Sequence, residues 1–272
     1  MTMGLPRRSN KKLAVIKIEG IIADADVFSA SRAKVIASLK AAERKRIRAI
    51  VLRINSPGGS VAACQEIYAA IVRLRDKGVT IVASMGDVAA SGGVYIAMAA
   101  AEIIANPGTI TGSIGVIIRS NDLSSLYDRI GITPKVVKSG KHKDMLATYR
   151  AFSKDEELLL QGVIDDTHRQ FVEVVASGRK KSTAEIESFA DGRILSGRQA
   201  LGLGLIDSLG DLEAAVGRAA SLAGLGKNAQ ILRIEPRKAF WQKLISPITR
   251  VGEKAIGATA LAGIPLWLLP SI

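Results

Sequence analysis

The 272-residue chain has one cysteine, Cys64, and two histidines, His142 and His168. A single thiol excludes an intramolecular disulfide and any cysteine-based metal cluster. Two histidines in unrelated contexts argue against a zinc site, and no metal or other cofactor is expected. Aromatic residues are 4% of a chain that is 48% hydrophobic. The core is therefore built from Ala, Gly, Ile, Leu and Val, which suits closely packed helix–sheet layers. Neither a complete Gly-x-x-x-x-Gly-Lys-Ser/Thr nor a Gly-x-Gly-x-x-Gly is present, so the common nucleotide-binding loops are missing. No stretch interleaves aromatics with Arg or Lys as a base-stacking platform would, and no specific nucleic acid partner is expected. A signal peptide is also missing: Leu13-Ala14-Val15-Ile16 is broken by Lys17 and Glu19. This predicts a cytoplasmic location. The long apolar run Val94–Ile118 carries a single charge, Glu102, but Asn106-Pro107-Gly108 interrupts it. It reads as a buried helix and strand of a parallel sheet, not as a membrane span.

The formal net charge is +13. Between Lys227 and Lys254, seven Lys/Arg stand against Glu235 and Glu253. Apolar residues then dominate to Ile272, with Pro265 and Pro270 arguing against a spanning helix. This tail predicts a peripheral contact with an anionic membrane surface, such as the inner face of the plasma membrane, or packing on a subunit or on its own domain. The composition divides the chain into a basic segment, 1–12, a catalytic-sized domain, 13–225, and a basic amphipathic extension, 226–272.

Apolar and β-branched runs predict strands at Leu13–Ile22 (kinked at Gly20), Ile47–Asn55, Val79–Ser84, Glu102–Ala105, Gly112–Ile118 and Thr133–Lys138. Helical spacing predicts helices at Ser29–Arg44, Val61–Lys77, Ser124–Gly131, Ser153–Ser177, one from Ser182, and Leu212–Ala223. Ser153 with Glu156, and Ser182 with Glu185, are capping boxes. Strands alternating with helices at this pitch give an α/β fold with right-handed crossovers and a mostly parallel sheet.

The centre of the pattern is Asp87–Tyr95, where Ser91-Gly92-Gly93 separates a β-branched strand from an apolar helix. A serine at a helix start either caps the helix or attacks a substrate with help from the helix N–H groups. Two further small-residue turns follow strands: Asn55-Ser56-Pro57-Gly58-Gly59-Ser60 and Thr111-Gly112-Ser113-Ile114-Gly115. Turns at the carboxyl ends of parallel strands share one edge, where ligands bind. A nucleophilic serine needs a base. His142 lies between Lys141 and Lys143 with no acid to orient it, and His168 reads as a surface residue on a helix. The alternative base is a lysine of the Lys138–Asp144 cluster, made basic in its neutral form by mutual repulsion.

Ile-Asn-Ser-Pro-Gly-Gly, Ala-Ser-Gly-Gly-Val-Tyr, Thr-Gly-Ser-Ile-Gly-Val and Lys-Ser-Gly-Lys-His-Lys-Asp, in this order, resemble the signal peptide peptidase A family of Ser/Lys-dyad proteases. The resemblance spans about Leu13 to Ala220. It implies a crotonase/ClpP-like fold of repeated ββα units, assembly into homo-oligomers, and peptide substrates such as remnant signal peptides. It also implies roles: Ser91 as nucleophile, Lys143 as general base, Ser113 as the residue that orients the lysine, and the N–H groups of Gly58 and Gly92 as oxyanion donors. In short members of the family, the serine and lysine of one site can come from neighbouring protomers. Composition adds an expectation of pockets for small or aliphatic side chains. Two other readings use the same residues: a crotonase-type acyl-CoA hydratase or isomerase on the same oxyanion turns, and a catalytically silent membrane-associated scaffold held by the tail.

Overall fold

The computed structural model describes residues 12–24, 30–226, 229–234 and 266–268. The chain begins with β1 (Lys12–Glu19) and turns at Gly20. It continues through β2 (Ile22–Ala23) and β3 (Ala30–Ser31) into α1 (Arg32–Arg44). A second unit follows, with β4 (Ala49–Ser56), β5 (Gly58–Ser60) and α2 (Val61–Asp76). β6 (Thr80–Ala89) leads to the short α3 (Gly92–Ala97), then to β7 (Glu102–Ala105) and β8 (Ile110–Gly112). The remaining elements are α4 (Ser124–Arg129), α5 (Lys154–Arg179), α6 (Thr183–Glu187), β9 (Ile194–Ser196), α7 (Gly197–Gly202), β10 (Ser208–Leu209), α8 (Leu212–Leu222), β11 (Gln230–Arg233) and β12 (Leu266–Leu268).

The main sheet runs β10-β7-β6-β4-β1-β11, every neighbour pair parallel. Its strands are apolar on both faces because helices cover both. On one face Leu13, Val15, Ala49, Val51 and Val82 pack against Ala215 and Ala219 of α8. On the other, Ala14, Ile16, Ile50, Leu52 and Ile81 pack with Leu39 of α1, Ile67 and Ile71 of α2, and Phe171 and Val175 of α5. The odd–even split along β1 and β4 is the strand period of two. Each fully buried Ile or Leu contributes about 1.5–3 kcal/mol. Small Ala residues on α8 let that helix lie close to the sheet.

A second sheet, β12-β5-β2-β3, sits at the carboxyl edge of the first. Both predicted capping boxes are formed, at Ser153/Glu156 and Ser182/Glu185, and a third is formed at Ser196/Gln199.

Four readings are corrected. β6 extends to Ala89, five residues beyond the predicted Ser84, because it pairs with β4 as far as Ser56 and then with β8. The segment Gly112–Ile118 is not a continuous strand: β8 ends at Gly112, and beyond it only Ile117 makes a bridge. Thr133–Lys138 forms no strand; it pairs with no strand among the described residues, and Val137 is fully exposed. The boundary at 225 falls short of the sheet, because β11 pairs with β1 from Lys12↔Gln230 to Val15↔Arg233. Val94–Ile118 divides into α3, β7 and β8, and among the described residues no helix is long and apolar enough to cross a membrane. Most of the tail lies outside the described residues.

Candidate active site

Ser91 lies between the end of β6 and the start of α3 and is fully buried. Its backbone has φ 52° and ψ −115°, a conformation that costs a non-glycine residue about 1–3 kcal/mol. Three main-chain bonds hold it there. The Ala90 N–H donates to Ser56 O (3.1 Å), the Ser91 N–H to Gly112 O (2.8 Å), and the Tyr95 N–H to Ser91 O (3.0 Å). The strained residue is thus pinned by both of the other turns. Its side chain does not cap α3, and Oγ is buried with no hydrogen-bond partner among the described residues. The cap reading is therefore excluded. α3 has only six residues, so backbone geometry rather than a long helix dipole sets the position of this hydroxyl.

The glycines beside it are required by space. A methyl group on Gly92 would lie 2.5 Å from Cys64 Sγ, and one on Gly93 would lie 3.2 Å from Ser56 O. Gly58 has φ 105°, and a methyl group there would lie 2.8 Å from Gly92 N. The two predicted oxyanion residues therefore face each other. In this structure the Gly58 N–H donates to Ser56 Oγ (3.1 Å), and Ser56 Oγ donates to Gly20 O (2.6 Å). The Gly92 N–H is among the leading N–H groups of α3, which have no intrahelical acceptor.

The third turn hangs on the strand that carries Ser91. Thr111 Oγ1 donates to Ala89 O (2.7 Å). Ser113, buried with φ 52°, is held by its N–H on Arg193 O (2.7 Å). Gly58, Ser91, Gly92 and Ser113 are thus brought to one edge of the sheet.

Lys143 is not joined to them within the chain. It is exposed on the irregular segment after α4, and its amine has no hydrogen bond or ion pair among the described residues. Its neighbours are engaged. Lys138 Nζ lies 2.6 Å from Asp144 Oδ1, and Lys141 Nζ lies 2.7 Å from Asp155 Oδ2. Donation to the Asp155 carboxylate raises the Lys141 pKa, the opposite of what a neutral base needs. Carboxylates, not mutual repulsion, thus set the state of Lys141. Arg150 ties this segment to α5, with bonds to Asp144 (2.7 Å) and to the buried Glu156 (2.6 and 2.8 Å). His142 Nδ1 is buried with no hydrogen-bond partner among the described residues. His168 is half-buried, bonded through Nε2 to Ala190 O (2.8 Å), and so belongs to the α5 packing rather than the surface.

Two features were not read from the sequence. One is a ring cluster beneath the site: Tyr95 stacks on Trp267 at 4.1 Å and meets Tyr68 and Phe171 edge-on at 5.2 and 5.5 Å. Four of the eleven aromatic residues meet here, so this wall is aromatic rather than shaped only for small aliphatic groups. Burial pushes the Tyr95 pKa up to about 12. The other is Arg150, whose only sequence signal is its place two residues ahead of Phe152 and three ahead of the Ser153 cap.

A parallel sheet covered by helices, with a strained serine at the strand–helix turn, defines a Clp-type serine peptidase architecture, and residues 8–109 match the Clp protease family model. That fold typically assembles into oligomers and acts on peptides. Residues 73–226 match the model of peptidase family S49, and the chain belongs to that family. A Synechocystis sp. protein assigned as a protease is 43% identical over 96% of both chains. An Enterococcus faecium protein assigned as signal peptide peptidase SppA is 35% identical over 76% of this chain and 62% of its own length. Protease 4 of Salmonella typhi is 39% identical over 66% of this chain, but the match covers 29% of that protein. The chain is a serine peptidase by family, and the hydratase reading is not favoured.

Proposed function

We infer that the chain is an endopeptidase with Ser91 as nucleophile and Lys143 as general base. It acts on extended apolar peptides such as the remnant signal peptides that the names of its relatives indicate. The observation that carries this is the Ser91 hydroxyl: buried, unbonded and held in a strained backbone at the meeting of three turns. Lys143 is favoured over Lys138 and Lys141 because both of those are paired with carboxylates. Lys143 takes the Ser91 proton, Oγ adds to the peptide carbonyl, and N–H groups at Gly92 and Gly58 receive the oxyanion. The amine product leaves with the proton, and water hydrolyses the ester. Ser113 orients the lysine. The exposed segment that bears Lys143 supports completion of the pair between two copies of the chain.

Wild type hydrolyses a fluorogenic apolar peptide, and a serine-directed phosphonate labels Ser91. Ser91→Ala lowers the rate by about a thousandfold or more. Equal rates in the two proteins would sink the assignment.

A further inference from the structure

Between α6 and β9 the chain turns tightly at Asp191-Gly192-Arg193, with Gly192 at φ 86°. The Asp191 carboxylate closes this turn. Its Oδ1 accepts from the Arg193 N–H (3.1 Å) and from Arg193 Nε (2.8 Å), and its Oδ2 accepts from Arg193 Nη2 (2.6 Å). The Arg193 guanidinium first, and then the Arg193 N–H, hold the Asp191 carboxyl down at about 2, so the pair is ionised across the neutral range. Both side chains are more than half exposed. An exposed ion pair adds little to stability, which makes stability a weak reason for a carboxylate gripped at three points.

The main chain of the same turn faces the Ser113 turn. Arg193 O accepts from the Ser113 N–H (2.7 Å), and the Gly192 N–H donates to Ile114 O (3.1 Å). The ladder between β8 and β9, with Thr111↔Leu195 and Gly112↔Ile194, brings the two turns into register. Their approach is close. A methyl group on Gly112 would lie 2.9 Å from Arg193 O, and one on Gly115 would lie 3.3 Å from Gly192 Cα. Ser113 is buried at φ 52°, a conformation that persists only where the surroundings over-determine it. Residues 192 and 193 supply the bonds to Ser113 and Ile114, and the Asp191 carboxylate fixes the peptide groups that make them.

We propose that Asp191, together with Arg193, is a positioning residue for hydrolysis. Its carboxylate sets the Arg193 carbonyl that holds Ser113, and with it the place from which Ser113 orients the lysine. The proposal rests on the reading of Ser113 as that orienting residue. Asp191 acts through Arg193 and Ser113 rather than on the reacting atoms. Without it the 191–193 peptides turn, the Ser113 N–H loses its fixed acceptor, and Ser113 relaxes from its strained backbone. Substrate still binds, but the base is misplaced, so kcat falls and KM holds.

The test is steady-state hydrolysis of a fluorogenic apolar peptide by the full chain, with Asp191→Ala made alone and on a Ser113→Ala background. Alone, Asp191→Ala is expected to lower kcat about ten- to a hundredfold with KM unchanged, while its melting temperature stays near that of wild type. On Ser113→Ala, itself slow, the same change is expected to lower kcat no further, because both act through one group. Asp191→Asn, which keeps an acceptor for the Arg193 N–H, recovers most of the loss. Three results overturn the proposal and leave Ser91 as the nucleophile: Asp191→Ala at the wild-type rate, a loss seen in KM rather than kcat, or a loss repeated in full on Ser113→Ala. Ser113→Ala at the wild-type rate removes the role of Ser113 and the proposal with it. Wild type without hydrolysis or a Ser91 label removes the peptidase reading as well. Should Asp191→Ala lose its fold, Arg193→Ala keeps the carbonyl, loses only the guanidinium clamp, and decides the same comparison.

Discussion

Ser91 carries two penalties that a structural serine avoids. Its backbone strain costs about 1–3 kcal/mol, and its buried hydroxyl without a partner costs about 1–3 kcal/mol. Alanine shares the strain but not the unmet hydroxyl. Ser91→Ala is therefore expected to melt no lower than wild type, and up to a few degrees higher, while losing hydrolysis; a calorimetric scan checks this. A drop in melting temperature would mean that the hydroxyl has a partner and that the penalty is not there. The same residue shows what a sequence can and cannot give. Ser-Gly-Gly between a strand and a helix announces a serine at a turn, but capping and attack share that pattern. Only the φ of 52° and the empty hydrogen-bond position distinguish them.

At the scale of elements, the segment from Lys138 to α5 is held by charge rather than by a core. Arg150 bridges Asp144 and Glu156, and Lys138 and Tyr149 add bonds to Asp144. Arg150 first, and then the Ser153 N–H, hold Glu156 down at about 2, from an ordinary 4.5. Arg150, Lys138 and Tyr149 hold Asp144 well below the usual carboxylate range. Both folded values lie below the unfolded ones. The stabilisation is therefore complete above about pH 4.5 and is lost as pH falls toward 2. Amide exchange of residues 138–156 is expected to accelerate through that window while β4 and β6 stay protected. Simultaneous exposure of the sheet would refute the separation. The long parallel strands, α2, α5 and the capping boxes were legible because periodicity and caps are local. Val136-Val137 reads as a strand by propensity, yet it has no partner strand among the described residues, and no strand forms. β9, α7 and β11 were missed because they are short or lie beyond an apparent change in composition, and a strand of three or four residues is fixed by its neighbour rather than by its own sequence.

At the scale of the molecule, the proposed site is divided. Ser91, Gly58, Gly92 and Ser113 belong to the sheet edge, and Lys143 stands on an exposed segment together with Leu126, Ile130, Ile132 and Val137, all exposed apolar residues. If a second copy covers these residues, the proposed base, Lys143, crosses to a neighbour's serine. Mixing and reassembling Ser91→Ala with Lys143→Ala, each inactive alone, is expected to restore roughly a quarter of wild-type activity by random pairing. No recovery in mixed oligomers would place both residues in one chain. The slot taken by β12 has a thermodynamic side as well. Two edges, β5 and Ile117, are satisfied by a strand that is not continuous with either, so the fold's stability is linked to whatever fills the gap. A chain shortened to end at Gly263 should melt lower than the full chain. It should regain the difference as a free peptide of the β12 sequence is added, by about 2.7 kcal/mol at a hundredfold excess over its dissociation constant. In that sense the last strand of this molecule behaves as a ligand that happens to be tethered.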